Sequence, residues 1–250
     1  MVDPRTLEPI AARGWPAAQT GAIGGWRLHA AAGFSGRINA CWPIDPADRP
    51  PAEAIAAAEA WYAARGLPPM FKIVEGAAGA TALIRRLSRL GYRSDTPTLT
   101  MVGPVAGEHD PAVAFESEVS DAFRKVFEAA QAADPGDAQE RLEAMARIPR
   151  PRAFARLDLD GAPAAIGACA VEAEWTGVFG MRTAPERRRL GLGGRIFAAL
   201  MSFSRAAGAT RAYLQVDADN APAIALYEKA GFETAYLYHY WRRGVTSPYP

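Results

Sequence analysis

Seven residues between Arg188 and Gly194 have the composition of a phosphate-binding loop. The segment Arg-Arg-Leu-Gly-Leu-Gly-Gly contains three glycines and two arginines. Glycine lets the backbone bend so that successive N–H groups face one point. Apolar residues recur at helical spacing after the loop, and the N-terminus of that helix would add unpaired N–H groups and a positive dipole end. An ordinary tight connection has the same composition, so the loop alone leaves both interpretations open.

The residues around this loop predict a strand before it and a strand and a helix after it. Phe179 and Met181 suit a strand that Pro185 ends. Residues 213–216 read Tyr-Leu-Gln-Val, which predicts a second short strand. Residues 217–232 then predict a capped helix that ends in glycine. A strand, a glycine loop, a helix, a strand and a further helix therefore follow one another.

Three segments together resemble the GNAT acetyltransferase superfamily. They are the Arg-x-x-Gly-x-Gly loop from Arg188 to Gly193, the Thr183-Ala-Pro185 segment before it, and the helix from Asn220 to Phe232. The resemblance covers roughly residues 115–243. It implies the GNAT fold, a mixed α/β sheet with helices, and it implies acetyl-coenzyme A as the acetyl donor, with no metal.

The resemblance also assigns binding roles. Backbone amides from Arg189 to Gly194 would hold the pyrophosphate of coenzyme A, and Arg188 would add positive charge. The strand backbone at Met181 and Thr183 would pair with the pantetheine arm, and the Met181 amide would polarise the thioester carbonyl. Asn220 would contact the cofactor or cap its helix. The predicted cofactor-binding residues are Met181, Arg182, Thr183, Arg188, Arg189, Leu190, Gly191, Leu192, Gly193, Gly194, Asn220 and Tyr227.

Two kinds of proton transfer are needed for acetyl transfer to an amine. Tyr227 matches the usual general acid of the family and would serve the departing thiolate; the alternative is a tyrosine packed on its helix face. An amine with a solution pKa of about 10 is mostly protonated at neutral pH, so a base must take its proton. Glu172 and Glu174, at the end of the preceding strand, are the candidates, and a solvated strand end is the alternative interpretation.

Composition limits the class of protein. The chain has 250 residues, 50% of them hydrophobic, which suffices for two small domains with cores. A net charge of +1 provides no global field for nucleic acid or an anionic membrane. The two cysteines, Cys41 and Cys169, make no disulfide framework and have no metal-ligand spacing to a histidine, so both are expected to be buried apolar residues. We expect a cytoplasmic protein, monomeric or homodimeric, that binds neither nucleic acid nor membrane.

The first half of the chain echoes the second. Sliding it forward by 142 positions places Pro43 on Pro185 and Gly66 on Gly208. We therefore predict two tandem GNAT-like domains, residues 1–104 and 112–243, although alternating strands and helices also produce such echoes by chance. Prolines stand in residues 49–52 where the second half has its glycine loop, and proline has no N–H. The first domain is thus predicted to be a degenerate copy without a cofactor.

The sequence thus predicts an N-acetyltransferase that moves an acetyl group from acetyl-CoA to a primary amine by direct attack in a ternary complex. A non-catalytic acyl-CoA sensor and an interaction scaffold are the alternatives, because the central strand lacks a clear acid. A small-molecule amine, a peptide N-terminus and a lysine side chain all remain open as acceptors. Among the predicted elements is one helix over residues 115–130.

Overall fold

A computed structural model describes residues 2–130 and 134–244 of the chain. The helices are α1 (Pro4–Gly14), α2 (Pro51–Ala63), α3 (Ala80–Arg89), α4 (Asp121–Ala130), α5 (Pro135–Ala146), α6 (Leu192–Ala206) and α7 (Ala221–Lys229), with 3₁₀ turns at Gly36–Ile38 and Pro185–Arg187. The strands are β1 (Gln19–Ile23), β2 (Trp26–Ala30), β3 (Cys41–Pro43), β4 (Met70–Val74), β5 (Arg93–Ser94), β6 (Thr98–Pro104), β7 (Val113–Glu116), β8 (Arg152–Leu159), β9 (Ala162–Glu172), β10 (Trp175–Thr183), β11 (Arg211–Asp217) and β12 (Glu233–Arg242). The fold is mixed α/β, as predicted.

All twelve strands belong to one continuous sheet. Its order is β1-β2-β3-β4-β12-β6-β11-β10-β9-β8-β7, and β5 adds to β12. The pairs β3–β4 and β10–β11 are parallel, and the other neighbours are antiparallel. Each half gives its last long strand to the other, because β6 pairs with β11 and β12 pairs with β4. The two halves therefore share a sheet through a reciprocal exchange of strands.

The element bounds agree with the offset between the halves. Moved by 142 positions, α2 and β4 match α6 and β11 within one residue at each end. Moved by 140 positions, α3 matches α7 equally well. This correspondence supports the predicted duplication. The predicted boundary after residue 104 is not a boundary of the sheet, since β6 lies between two strands of the second half.

Two segments differ from the sequence predictions. The predicted helix over residues 115–130 is instead β7 followed by α4, because Val113 and Phe115 alternate along a strand that pairs with β8. The hydroxyl of Ser120 accepts a hydrogen bond from the Phe123 amide at 3.2 Å. This bond caps α4, so the helix begins at Asp121 rather than at residue 115. The unpredicted helix α1 begins after Asp3, whose carboxylate accepts a hydrogen bond from the Arg5 amide at 2.8 Å.

The core is arranged on both faces of the sheet. Helix α6 buries Ile196, Phe197 and Leu200 against the strands of the second half, where Leu214 also packs. A second cluster on the second half joins α1 to α4 and α5, and a third lies under α2 and α3. Because α1 packs among residues of the second half, the N-terminus of the chain ties the two halves together.

Candidate active site

A cleft opens where β10 and β11 separate. The two strands pair from Trp175 opposite Arg211 to Val178 opposite Leu214, and their pairing then stops. Beyond that point β10 follows β9, while β11 follows β6. The cleft has a volume of about 880 Å³, within the range of small-ligand sites. Its position at the diverging ends of two parallel strands leaves backbone groups of β10 facing the opening.

A bulge in β10 shapes this edge. The register against β9 shifts between Phe179 and Arg182. Gly180 has a φ of +59°, which favours glycine, and a Cβ there would lie 2.3 Å from the Met145 Cε, so a larger residue would also require Met145 to move. Met181, Arg182 and Thr183 follow it, partly buried and lining the cleft. The bulge re-aims the backbone at the positions predicted to pair with pantetheine.

The glycine loop ends at the start of α6, beside the cleft. Gly191 caps the helix with a φ of +74°, and Arg189 has a φ of +66°. The first N–H groups of a helix have no intrahelical partner, which suits a phosphate. A Cβ on Gly193 would meet only Leu226 Cδ2 at 3.7 Å and Thr183 Oγ1 at 3.9 Å, so open space lies over this residue. Arg188, Arg189 and Leu190 are exposed, as is Gly191. These features fit the pyrophosphate of coenzyme A.

Tyr227 lies on α7 and lines the same cleft. Only 6% of the residue is exposed, and its ring packs against Phe197 and Phe232 at centroid distances of 5.4 and 6.4 Å. Burial raises the pKa of Tyr227 to about 12, partly offset by the positive charges of Arg182 and Arg37. The phenol is therefore neutral near pH 7 and holds a proton that it can donate.

The start of α7 is fixed by Asn220. Its side-chain oxygen accepts a hydrogen bond from the Ala223 amide at 3.3 Å, so the capping role predicted for it is present. Asn220 is exposed and also lines the cleft, which leaves its second predicted role, contact with the cofactor, open to a ligand.

Glu172 and Glu174 are not brought to the cleft. They stand at the hairpin between β9 and β10, before Trp175, and about 20 Å of strand separates Trp175 from Met181. Glu172 is held by Arg13, with an Nη2 to Oε1 distance of 2.5 Å. Both carboxylates thus lie at the end of β10 opposite to the point where β10 and β11 separate. The carboxylates that line the cleft are Asp95, Asp137, Asp217 and Asp219.

The first half of the chain forms one wall of the cleft. Its contributions are Phe34 to Arg37 and Arg93 to Thr96. The guanidinium Nη2 of Arg37 donates to the backbone oxygen of Gln215 on β11 at 3.3 Å. Because these two residues are 178 positions apart, no local sequence pattern pointed to Arg37 or Gln215.

The segment of the first half that the repeat places opposite the glycine loop contains two prolines. Helix α2 begins at Pro51 with Pro50 as its cap and no side-chain hydrogen bond to the cap. Leu87, which the repeat places opposite Tyr227, is fully buried. Trp26 and Trp42 are core residues at 5% and 2% exposure, whereas Phe34 stands in the cleft at 39%.

Comparison with known proteins identifies the family. A family model described as the probable histone acetyltransferase Rv0428c C-terminal region matches residues 2–241. The chain belongs to this family. The protein named uncharacterized N-acetyltransferase YobR, from Bacillus subtilis, is 28% identical over 247 residues, covering 96% of this chain and 98% of its own. The probable histone acetyltransferase Rv0428c of Mycobacterium tuberculosis is 28% identical, covering 95% of this chain and 72% of its own.

Solved structures agree on the fold. A GCN5-related N-acetyltransferase from Kribbella flavida superposes with a TM-score of 0.68 at 21% identity, covering 98% of this chain and 97% of that one. The Rv0428c-family chain is thus an acyltransferase with the GNAT fold, as the sequence predicted. In residues 2–130 and 134–244, no helix is long and apolar enough to cross a membrane, and no three His, Cys, Asp or Glu side chains are grouped as metal ligands.

Proposed function

We propose that this acyltransferase is an N-acetyltransferase that moves an acetyl group from acetyl-CoA to a primary amine. The observation that carries the proposal is the position of Tyr227, a buried neutral phenol in the cleft that also receives the glycine loop and the β10 bulge. The loop from Arg188 to Gly194 would bind the pyrophosphate, and the β10 edge at Met181 to Thr183 would align the pantetheine arm. Bound acetyl-CoA supplies an activated thioester.

The residues of the chain then have separate tasks. The Met181 amide would donate to the carbonyl oxygen as it gains charge, and the Tyr227 hydroxyl would give its proton to the departing sulfur. The pKa of Tyr227, raised to about 12, keeps that proton in place until the sulfur becomes basic. The ring packing of Tyr227 on Phe197 fixes the direction of the hydroxyl.

Direct transfer is favoured over an acylated cysteine. Cys41 and Cys169 are both buried, and burial raises the pKa of the Cys169 thiol to about 11 and that of Cys41 further. A thiol that is neutral and shielded is a poor nucleophile. We therefore propose attack by the amine itself in a ternary complex.

The proton of the incoming ammonium needs an acceptor in the cleft. We propose Asp95 in place of Glu172 and Glu174, because burial raises the pKa of its carboxyl, an effect that Arg242 partly offsets from 3.2 Å. A base is more effective when its pKa lies closer to the working pH. Asp95 belongs to the first half of the chain, so this half would supply part of the site although its own loop binds no cofactor.

We propose that residues 112–243 bind the acetyl donor and that residues 1–104 form the side of the cleft that contacts the acceptor. One coenzyme A would then bind per chain. Calorimetric titration tests this stoichiometry, and two equivalents would show that the first half is a second working site.

The activity is tested by measuring thiol release from acetyl-CoA against a panel of amines, with mass spectrometry of the products. We expect an acetylated amine, and intersecting initial-velocity lines when both substrates are varied. Parallel lines would indicate an acylated enzyme and contradict direct transfer. Tight coenzyme A binding with no product from any amine would favour a non-catalytic acyl-CoA sensor.

A further inference from the structure

Arg37 is held in the cleft by contacts with both halves of the chain. It lies in the turn Gly36–Ile38, and a Cβ on Gly36 would be 2.8 Å from the ring of Tyr240, so this backbone rests directly on the aromatic ring. Its guanidinium lies 5.8 Å from the Trp15 ring centre and donates to the Gln215 backbone. Arg37 forms no ion pair with a carboxylate of residues 2–130 or 134–244. The charge is positioned but not neutralised by a direct partner.

Two more guanidinium groups line the same wall. Arg182 follows the β10 bulge, with its guanidinium 5.3 Å from the Phe127 ring centre. Burial and the positive charge of Arg141 lower the pKa of Arg182 to about 10; Tyr227 and Asp137 partly offset this, and Arg37 adds a smaller lowering effect. Arg141 already binds Asp137 at 2.8 Å. Arg37, Arg141 and Arg182 therefore line one cleft, which the carboxylates of Asp95, Asp137, Asp217 and Asp219 also line.

A buried hydrogen-bond donor in the same cleft lacks an acceptor within residues 2–130 and 134–244. The Gln215 side-chain nitrogen is buried without a partner among the described residues, while its oxygen accepts from the Tyr238 hydroxyl at 3.4 Å. The Tyr240 hydroxyl in turn donates to that of Tyr238 at 3.4 Å. A buried donor without an acceptor is costly, so a ligand that only accepts hydrogen bonds would fit here.

We propose, on the basis of the proposed N-acetyltransferase function, that the acceptor amine carries a carboxylate that binds Arg37, with Arg182 and Gln215 beside it. A carboxylate has only acceptor sites and pairs with guanidinium in a bidentate fork. The exposed ring of Phe34 offers an apolar surface next to the site. The acceptor class is therefore an apolar α-amino acid or a close relative.

Matched acceptors test this inference without requiring turnover. L-phenylalanine and L-leucine, and the carboxamide of each, would be titrated calorimetrically into enzyme saturated with coenzyme A. We expect the acids to bind at least about tenfold more tightly than the amides, the scale of one charge-assisted hydrogen bond. Acetyl-transfer kcat/KM should show the same preference.

Substitutions of Arg37 then test whether this residue causes the preference for acids over amides. Arg37→Met should remove it, and Arg37→Lys should restore part of it, while coenzyme A affinity stays unchanged. Arg27→Met, which changes an exposed arginine of the same half, is the control and should keep the preference. Circular dichroism and melting curves of each variant confirm folding.

The outcomes separate the two levels of the argument. Equal binding of acids and amides, no binding of either acid, or tighter binding of a lysine-rich peptide would overturn the carboxylate inference. So would an acid preference that survives Arg37→Met in a folded variant. Selective binding of the acids without any acetyl transfer would instead leave this inference standing and contradict the proposed function.

Discussion

Glu140 connects the stability of the fold to the acceptor side of the cleft, and Glu140→Gln tests that connection. Glu140 lies on α5, 1% exposed, and its carboxylate binds the loop that leads to Phe34 and Arg37. Oxygen Oε1 accepts from the Ala32 amide at 2.6 Å, the Phe34 amide at 3.3 Å and the Asn39 side chain at 2.8 Å. Oxygen Oε2 accepts from the buried Ser35 amide at 2.6 Å.

The magnitude follows from these four contacts. Glutamine keeps one acceptor oxygen, which can take the place of Oε1, but its NH₂ group then faces the Ser35 N–H. The Ser35 N–H loses its acceptor and the new NH₂ group gains none, at about 1–3 kcal/mol for each unsatisfied donor, and the remaining bonds lose their charge. We expect a loss of about 3 kcal/mol, or roughly 6–12 °C in melting temperature for a chain of this size.

Urea denaturation and thermal melting measure the change. The matched control is Glu143→Gln on the same helix, since Glu143 is exposed and, among residues 2–130 and 134–244, hydrogen-bonds only with Gln139, at 2.8 Å. It should stay within about 0.5 kcal/mol of the parent. The KM for the acceptor should rise in Glu140→Gln while the coenzyme A Kd is unchanged, because the loop belongs to the acceptor wall. A loss of less than about 1 kcal/mol in the free energy of unfolding would contradict this role of Glu140, because removing a buried charged hydrogen-bond partner normally costs more.

Two further predictions concern the loop and the pH range. Gly191→Pro should weaken coenzyme A binding at least about tenfold by calorimetry, because it removes an N–H and replaces a φ of +74° by one near −65°; Gly66→Pro imposes the same change at a φ of +66° in the first half and should leave affinity intact. Burial lowers the pKa of His29 to about 4, so the unfolded chain takes up a proton that the folded chain does not as pH falls from 6.5 to 4. Stability should be full above pH 6.5 and fall by about 3 kcal/mol at pH 4, and His29→Gln but not His109→Gln should reduce that fall.

Local patterns in the sequence predict the residues of the proposed donor side. The glycine loop, the strand at Met181 and the helix with Tyr227 lie within about fifty residues, and each carries its own turn or capping signal. The structure places them around one cleft as the spacing implied. Gly180 was visible in the sequence, but the close approach of Met145 on α5 to this position is a tertiary contact that no local pattern encodes.

The acceptor side required the tertiary structure. Arg37 and Gln215 meet through strand exchange between the halves, so their contact depends on the order of the sheet rather than on spacing along the chain. Glu172 was a candidate base because it ends the strand before β10. The hairpin between β9 and β10 places it at the end of β10 that is far from the cleft. The helix α1 was missed although Asp3 and Pro4 carry a cap signal.

The most direct test of the account is the effect of Tyr227→Phe on acetyl transfer and on coenzyme A binding. The substitution removes the hydroxyl but keeps the ring that packs on Phe197 and Phe232. We predict that kcat falls roughly ten- to a thousandfold, the scale of one general acid, with coenzyme A Kd within about twofold of the parent. The control is Tyr62→Phe on α2, in the first half of the chain. It removes a hydroxyl that donates to the backbone oxygen of His29, and kcat should be unchanged. An unchanged kcat in Tyr227→Phe, with the chemical step shown to limit the rate, would contradict the account.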